Sequence, residues 1–197
     1  MMDRVLWTRA AGLVLLSILA TGCAAIIGGS LSDREGATIG ATAQVPDLPD
    51  LGPAAELTNE TWLNAEGPLR LADLGGKVVL LEMWTFGCIN CQRVVPHVQA
   101  WHEAYASQGL VVIGNHFPEF AHERDLDALR QAVELLGVTY AVAQDNDGAT
   151  WRAYNNHYWP TLYLIDKRGH IRYQHIGEGA YAETEAAIQS LLDEPDA

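Results

Sequence analysis

The stretch Lys77-Val-Val-Leu-Leu-Glu-Met-Trp-Thr-Phe-Gly-Cys-Ile-Asn-Cys91 decides the fold. Lys77 to Trp84 is rich in β-branched and large apolar residues, as expected of a central strand covered on both faces. Cys88-Ile89-Asn90-Cys91 follows after a short turn, and a helix is expected from Cys91 to Ser107. Val94, Val98, Trp101 and Tyr105 fall on one face of that helix, Pro96 lies near its first turns, and Gly109 closes it. Two cysteines separated by two residues can close a small disulfide ring. Where such a pair opens a helix, the unpaired N–H groups and the dipole stabilise a thiolate. Cys88, nearer the exposed turn, is assigned as the attacking thiol and Cys91 as the resolving thiol.

Glu82 is the anomaly in the strand. A carboxylate in so apolar a run costs several kcal/mol if it stays charged, so its pKa should rise toward neutrality. It then becomes a usable acid and base, and thiol–disulfide exchange needs one proton removed and another delivered. The competing assignment puts Glu82 on a solvated edge strand, or in a pair with Arg93 or His116.

Outward from this stretch, short apolar runs alternate with amphipathic segments. Leu110 to Gly114 is a second buried strand, and Asp125 to Leu136 is a helix with Leu126, Leu129, Val133 and Leu136 along one stripe. Thr139 to Ala143 is a strand and Asp145 to Tyr154 a short helix. Thr161 to Asp166 and His170 to Ile176 form an antiparallel hairpin around Lys167 to Gly169, and Glu183 to Leu192 is a last helix. The expected fold class is α/β, in three layers, with a mixed central sheet and helices on both faces.

The first residues carry an address. Arg4 and Arg9 precede the apolar run Ala10 to Ile27, the pattern of an export signal. Leu19-Ala20-Thr21-Gly22-Cys23 resembles a bacterial lipoprotein cleavage box, which would make Cys23 the lipidated residue. An uncleaved membrane anchor and a plain cleaved signal are the other readings, and all three place the domain outside the cytoplasm, periplasmic or on the outer face of the membrane. Residues 1–22 are thus expected to be the signal or anchor, 23–55 a flexible tether, and 56–197 the folded domain.

Composition agrees with one folded domain. The chain has 197 residues, 49% of them hydrophobic, with six Trp, seven Tyr and three Phe, which argues against disorder. Its formal charge of −13 makes binding to nucleic acid unfavourable.

Glu82-Met83-Trp84 ahead of Cys88-Ile89-Asn90-Cys91 resembles the thioredoxin superfamily, and within it the extracytoplasmic TlpA-type proteins and the carboxy-terminal domain of DipZ. Upstream, Trp62-Leu63-Asn64, Pro68-Leu69 and Gly76-Lys77-Val78-Val79 resemble the same lead-in. Downstream, Pro118-Glu119-Phe120, Asp145-Asn146-Asp147, Trp151-Arg152-Ala153-Tyr154, Tyr158-Trp159-Pro160, Leu164-Ile165-Asp166 and Gly177-Glu178-Gly179 continue it in order. The resemblance implies a thioredoxin-like fold with an extra strand and helix between Cys91 and Pro160. It implies a cis bond before Pro160, which would pack beside the disulfide and present backbone to substrate. Trp84, Trp159 and Thr161 are assigned to substrate binding. Departures are Phe86-Gly87, where Tyr-Thr or Tyr-Ser is common, and Asn115; Gly87 is expected to loosen the turn that positions Cys88.

The function expected is a membrane-tethered thiol–disulfide oxidoreductase acting on exported proteins, with a redox-active disulfide and no dissociable cofactor. The resemblance implies re-reduction by a membrane electron carrier of the CcdA or DsbD kind and a place in cytochrome c maturation or general thiol repair; a monomer is expected. Two other functions compete with this one. A thiol peroxidase would need Pro-x-x-x-Thr-x-x-Cys, an arrangement this chain does not meet although Thr85 stands three before Cys88. A copper chaperone would use Cys88 and Cys91 with His116 or His157. Zinc is disfavoured, because no second cysteine pair exists and His97 and His102 point along different helix faces. His116 and His157 otherwise read as core or surface histidines, and Glu119 and Arg124 as solvated charges.

Overall fold

The computed structural model describes residues 48–195. The assignments made for residues 1–47, including Cys23 and its lipidation, lie outside the described residues. Six strands form one sheet in the order β1-β4-β3-β2-β5-β6. They are β1 (Thr61–Leu63), β2 (Val78–Trp84), β3 (Leu110–His116), β4 (Ala141–Gln144), β5 (Thr161–Ile165) and β6 (Ile171–Ile176). β2 runs parallel to β3, and β3 to β4, whereas β1, β5 and β6 pair antiparallel to their neighbours. The helices are α1 (Ile89–Tyr105), α2 (Leu126–Leu135), α3 (Ala149–Ala153) and α4 (Tyr181–Asp193).

β2 is buried along its whole length, so alternate side chains feed two separate cores. Val78, Leu80 and Trp84 pack with Val94, Val98 and Trp101 of α1, Leu129 of α2 and Ile188 of α4. Val79, Leu81 and Met83 pack on the other face with Leu57, Tyr163, Ile165 and Trp151 of α3. Glu82 falls on the α1 face by the same alternation. Layers on both faces of a mixed sheet match the fold class that the sequence predicts.

Several boundaries differ from expectation, those of β3, α1 and β1 among them. β3 continues past Gly114 through Asn115 and His116, because both polar side chains find buried partners. Asn115 bonds with Asn59 and Asp145, and His116 Nε2 with the Thr85 hydroxyl at 3.3 Å. α1 begins at Ile89, with Cys88 as its cap residue. β1, which periodicity alone does not reveal, is only three residues long and is held by pairing with β4.

Residues 48–55, which the sequence assigns to the tether, are hydrogen-bonded to the folded domain. The Leu51 amide donates to the Ile171 carbonyl at 2.8 Å, and Pro53 bridges to His170. Arg172 donates to the carbonyls of Leu48 and Pro49 at 2.7 and 3.1 Å, and also to the buried carboxylate of Asp166 at 3.1 Å. Asp166 in turn accepts from the backbone of Arg168 and His170, and these donors hold its pKa below the usual carboxylate range. This clasp ties the segment to the β5–β6 hairpin. Arg172→Ala should leave Asp166 with the Arg168 guanidinium at 3.0 Å and its backbone donors, and lower the unfolding free energy by about 2 kcal/mol through the lost charged hydrogen bonds. Hydrogen exchange at the Leu51 amide should accelerate before that of the β2 amides; equal acceleration would mean that the clasp does not hold the segment.

Candidate functional site

The carboxyl ends of the parallel strands β2 and β3 meet at one end of the sheet. The Phe117 amide donates to the Trp84 carbonyl, and the Asp145 amide to the His116 carbonyl. From Trp84 the chain turns through Thr85, Phe86 and Gly87 and enters α1 at Cys88. The turn is closed by the Cys88 amide on the Thr85 carbonyl at 3.4 Å, and Gln92 reaches back from α1 to the Phe86 carbonyl at 2.7 Å.

Cys88 and Cys91 both carry free thiols, Cys88 half-buried and Cys91 fully buried. The unequal exposure fits an outer attacking thiol and an inner resolving one. Burial pushes the Cys91 thiol far up, and the nearby charges of Glu82 and Cys88 push it the same way, against a bond from the Thr85 backbone. Cys91 therefore needs a base before it can act as a nucleophile.

Glu82 can be that base. It lies fully buried on a central strand, so the edge-strand alternative does not apply. Nor does it pair with Arg93, which meets Glu178 at 3.3 Å on the surface, or with His116, which bonds Thr85. Its Oε2 accepts from the Tyr140 hydroxyl at 2.9 Å, while Oε1 has no partner. Burial raises its pKa to about 8, opposed only in part by the Tyr140 bond. Such a carboxyl can take or give a proton near neutral pH. Tyr140, pushed well above its ordinary value by burial and by Glu82, stays protonated and remains a donor.

The Trp159–Pro160 bond is cis, the geometry that the resemblance implies. Pro160 is buried at the start of β5, and the next residue, Thr161, lies opposite Met83, which sets Pro160 at the same sheet end as the cysteines. Its carbonyl is taken by the Gly177 amide at 2.8 Å. Trp159 is half-buried, stacks on Phe117 at 5.8 Å between ring centres, and donates to the Phe117 carbonyl.

Two expectations are corrected. Trp84 is fully buried in the α1-side core and offers no face to a peptide. Thr161 is fully buried too, with its hydroxyl spent on the Tyr158 carbonyl at 2.9 Å, so its side chain cannot meet substrate. The exposed apolar groups flanking the site in sequence are instead Ile89, within the cysteine pair, and Tyr158, two residues before Pro160.

His116 is fully buried, T-shaped to Trp84 and stacked on Phe86, and burial lowers its pKa to about 4, so it is neutral. His157 is exposed beside the Tyr158 ring. Glu119 is exposed, and Arg124 donates to the Asn146 carbonyl at 2.7 Å.

Two further residues escape a reading of the sequence. Tyr140 immediately precedes the short strand β4, with no mark of its hydrogen bond to Glu82. Glu123 lies among surface charges yet is fully buried. Its Oε1 accepts from the Gly87 amide at 2.8 Å, and its Oε2 from the amides of Glu119 and Phe120. Gly87 therefore does not loosen the turn, because its own N–H is held.

The comparisons with known proteins agree with this geometry. Residues 49–174 match the model of the AhpC/TSA family. Over 171 residues the chain is 41% identical to Protein DipZ of Mycobacterium tuberculosis, covering 85% of this chain and 25% of that protein. The chain thus spans about a quarter of the length of DipZ. It is 29% identical to the thiol-disulfide oxidoreductase YkuV of Bacillus subtilis, covering 73% of this chain and 97% of YkuV. Among solved structures, a thiol-disulfide isomerase from Corynebacterium glutamicum superposes with a TM-score of 0.66 at 29% identity, covering 74% of this chain and 99% of that one. With its mixed sheet, its cysteine pair at the head of α1 and a family match over most of its length, the chain belongs to the AhpC/TSA family and has the thioredoxin-like fold.

Proposed function

We propose that this thiol–disulfide oxidoreductase works outside the cytoplasm, tethered to a membrane, and exchanges electrons with the disulfides of exported proteins through Cys88 and Cys91. The observation that carries the reading is the pairing of a half-exposed thiol at the head of α1 with a buried thiol and a buried, partnerless carboxylate oxygen. In the reducing direction, the Cys88 thiolate attacks a substrate disulfide, breaking its S–S bond to form a mixed disulfide and release one substrate sulfur as a thiolate, which solvent protonates. The Cys91 thiol gives its proton to Glu82 and attacks Cys88, and the second substrate sulfur leaves as a thiolate and takes up a proton. The two electrons leave the dithiol, which becomes the Cys88–Cys91 disulfide.

The tether rests on the basic and apolar start of the chain and the box ending at Cys23. Among the described residues no helix is long and apolar enough to cross a membrane. A membrane dithiol carrier of the CcdA or DsbD kind would return the electrons, and no dissociable cofactor takes part. Cytochrome c maturation or general thiol repair is the process this chemistry suits. A thiol peroxidase is the weaker reading, because Thr85 is fully buried with its hydroxyl engaged by His116 and Glu123.

Cys88→Ser should abolish disulfide reduction, and Cys91→Ser should accumulate mixed disulfides that reducing agent releases. Full activity in Cys88→Ser, followed by insulin reduction, would overturn the assignment.

Proton transfer predicts the pH dependence. The resolving step needs Glu82 ionised, so its rate should rise with pH through about 8. Glu82→Gln should lose that limb. Tyr140→Phe removes a bond that favours the carboxylate, so the midpoint should move upward. Stopped-flow resolution of the mixed disulfide checks both, and profiles that coincide with wild type would remove Glu82 from the mechanism.

Stability should follow the same group. Its folded value of about 8 lies above its ordinary 4.5, so the native state binds the extra proton between them. Wild type should therefore lose stability as pH rises from about 4.5 to about 8, by a few kcal/mol. Urea unfolding of Glu82→Gln should show that slope flattened.

A further inference from the structure

Glu123 is a fully buried carboxylate that the exchange chemistry does not use. It belongs to the segment between β3 and α2, 36 residues along the chain from Gly87, yet it binds the turn that carries Cys88. We propose that Glu123 is a positioning residue for Cys88, its carboxylate gripping the Gly87 N–H so that the turn presents the attacking thiol in one geometry. The inference rests on the exchange reading above.

The grip is specific in its chemistry. One carboxylate oxygen takes the Gly87 amide, and the other takes the amides of Glu119 and Phe120 at 2.6 and 2.9 Å. The Thr85 hydroxyl adds a further bond, and together these donors keep the group ionised despite its burial. Both ends of the turn from Thr85 to Gly87 are thus fastened to one acid. Gln92 fastens the middle from within α1, whereas Glu123 fastens it to a different part of the fold.

The fit is equally specific in shape. A Cβ on Gly87 would stand 2.1 Å from Glu123 Oε1, closer than any real contact allows. A side chain at 87 would therefore push the Glu123 carboxylate off the Gly87 amide. Glutamine at 123 would turn an amide N–H2 toward backbone donors on one side, losing either the Gly87 bond or the Glu119 and Phe120 pair.

The test compares the full chain with Glu123→Gln, Gly87→Ala and the double variant. Each is equilibrated with glutathione buffers for the reduction potential of the Cys88–Cys91 couple. Each reduced protein is also followed for the rate of Cys88 alkylation by iodoacetamide. Each single change should shift the equilibrium constant about tenfold, which is about 30 mV for two electrons. The double variant should shift it no further, since both changes break the same link. A merely structural role would lower the urea midpoint and leave potential and alkylation rate unmoved. A potential and alkylation rate within twofold of wild type in folded Glu123→Gln would overturn the proposal, as would additive shifts. If Gly87→Ala does not fold, Glu123→Gln decides alone. If wild type forms no disulfide at any poise, the exchange reading fails; the alkylation rate of Glu123→Gln then decides positioning by itself.

Discussion

The structure depends on keeping a carboxylic acid inside the core. Glu82 stands on the central strand with no opposite charge, and everything around it accommodates that fact. Its neighbour in β3 is Gly114, where a Cβ would lie 2.7 Å from the Trp84 indole nitrogen and 3.1 Å from the Tyr140 ring. The missing side chain lets Tyr140 reach across to Glu82. One hydrogen bond offsets part of the burial, and the rest remains as a raised proton affinity. Replacing the acid with leucine would suit the strand better, so its presence points to chemistry.

Much of the fold was legible because its signals are local. β2 and the α1 stripe announce themselves by apolar runs and spacing, and the cysteine pair marks where one becomes the other. Glu82 stood out because a charge in an apolar run is rare. Asn115 and His116 hid the end of β3, since their satisfaction comes from Asn59, Asp145 and Thr85, which sequence spacing cannot bring together. β1 owes its strand character to β4 alone.

The candidate site was legible along the chain and obscure across it. Cys88, Cys91, Glu82 and Pro160 lie where a one-dimensional reading can find them. Tyr140 and Glu123 act from 58 and 36 residues away, and nothing in their flanks distinguishes them from a strand tyrosine and a surface acid. Trp84 and Thr161 are the opposite case. Their positions beside the motif suggested contact with substrate, but side-chain alternation turns both into the core. Gly87, a residue type that usually adds freedom, is here fixed by an acid that needs its empty space.

The Arg172 clasp fixes the point at which the chain enters the domain. Leu48 and Pro49 are held at the β5–β6 hairpin, where Ile165 lies opposite Val79 at the start of β2. Cys88 follows Trp84 at the other end of that strand, roughly 20 Å away for a strand of this length. Entry and reactive thiol therefore occupy opposite poles of the sheet. A partner reaching the dithiol therefore approaches the end of the sheet remote from Leu48 and Pro49.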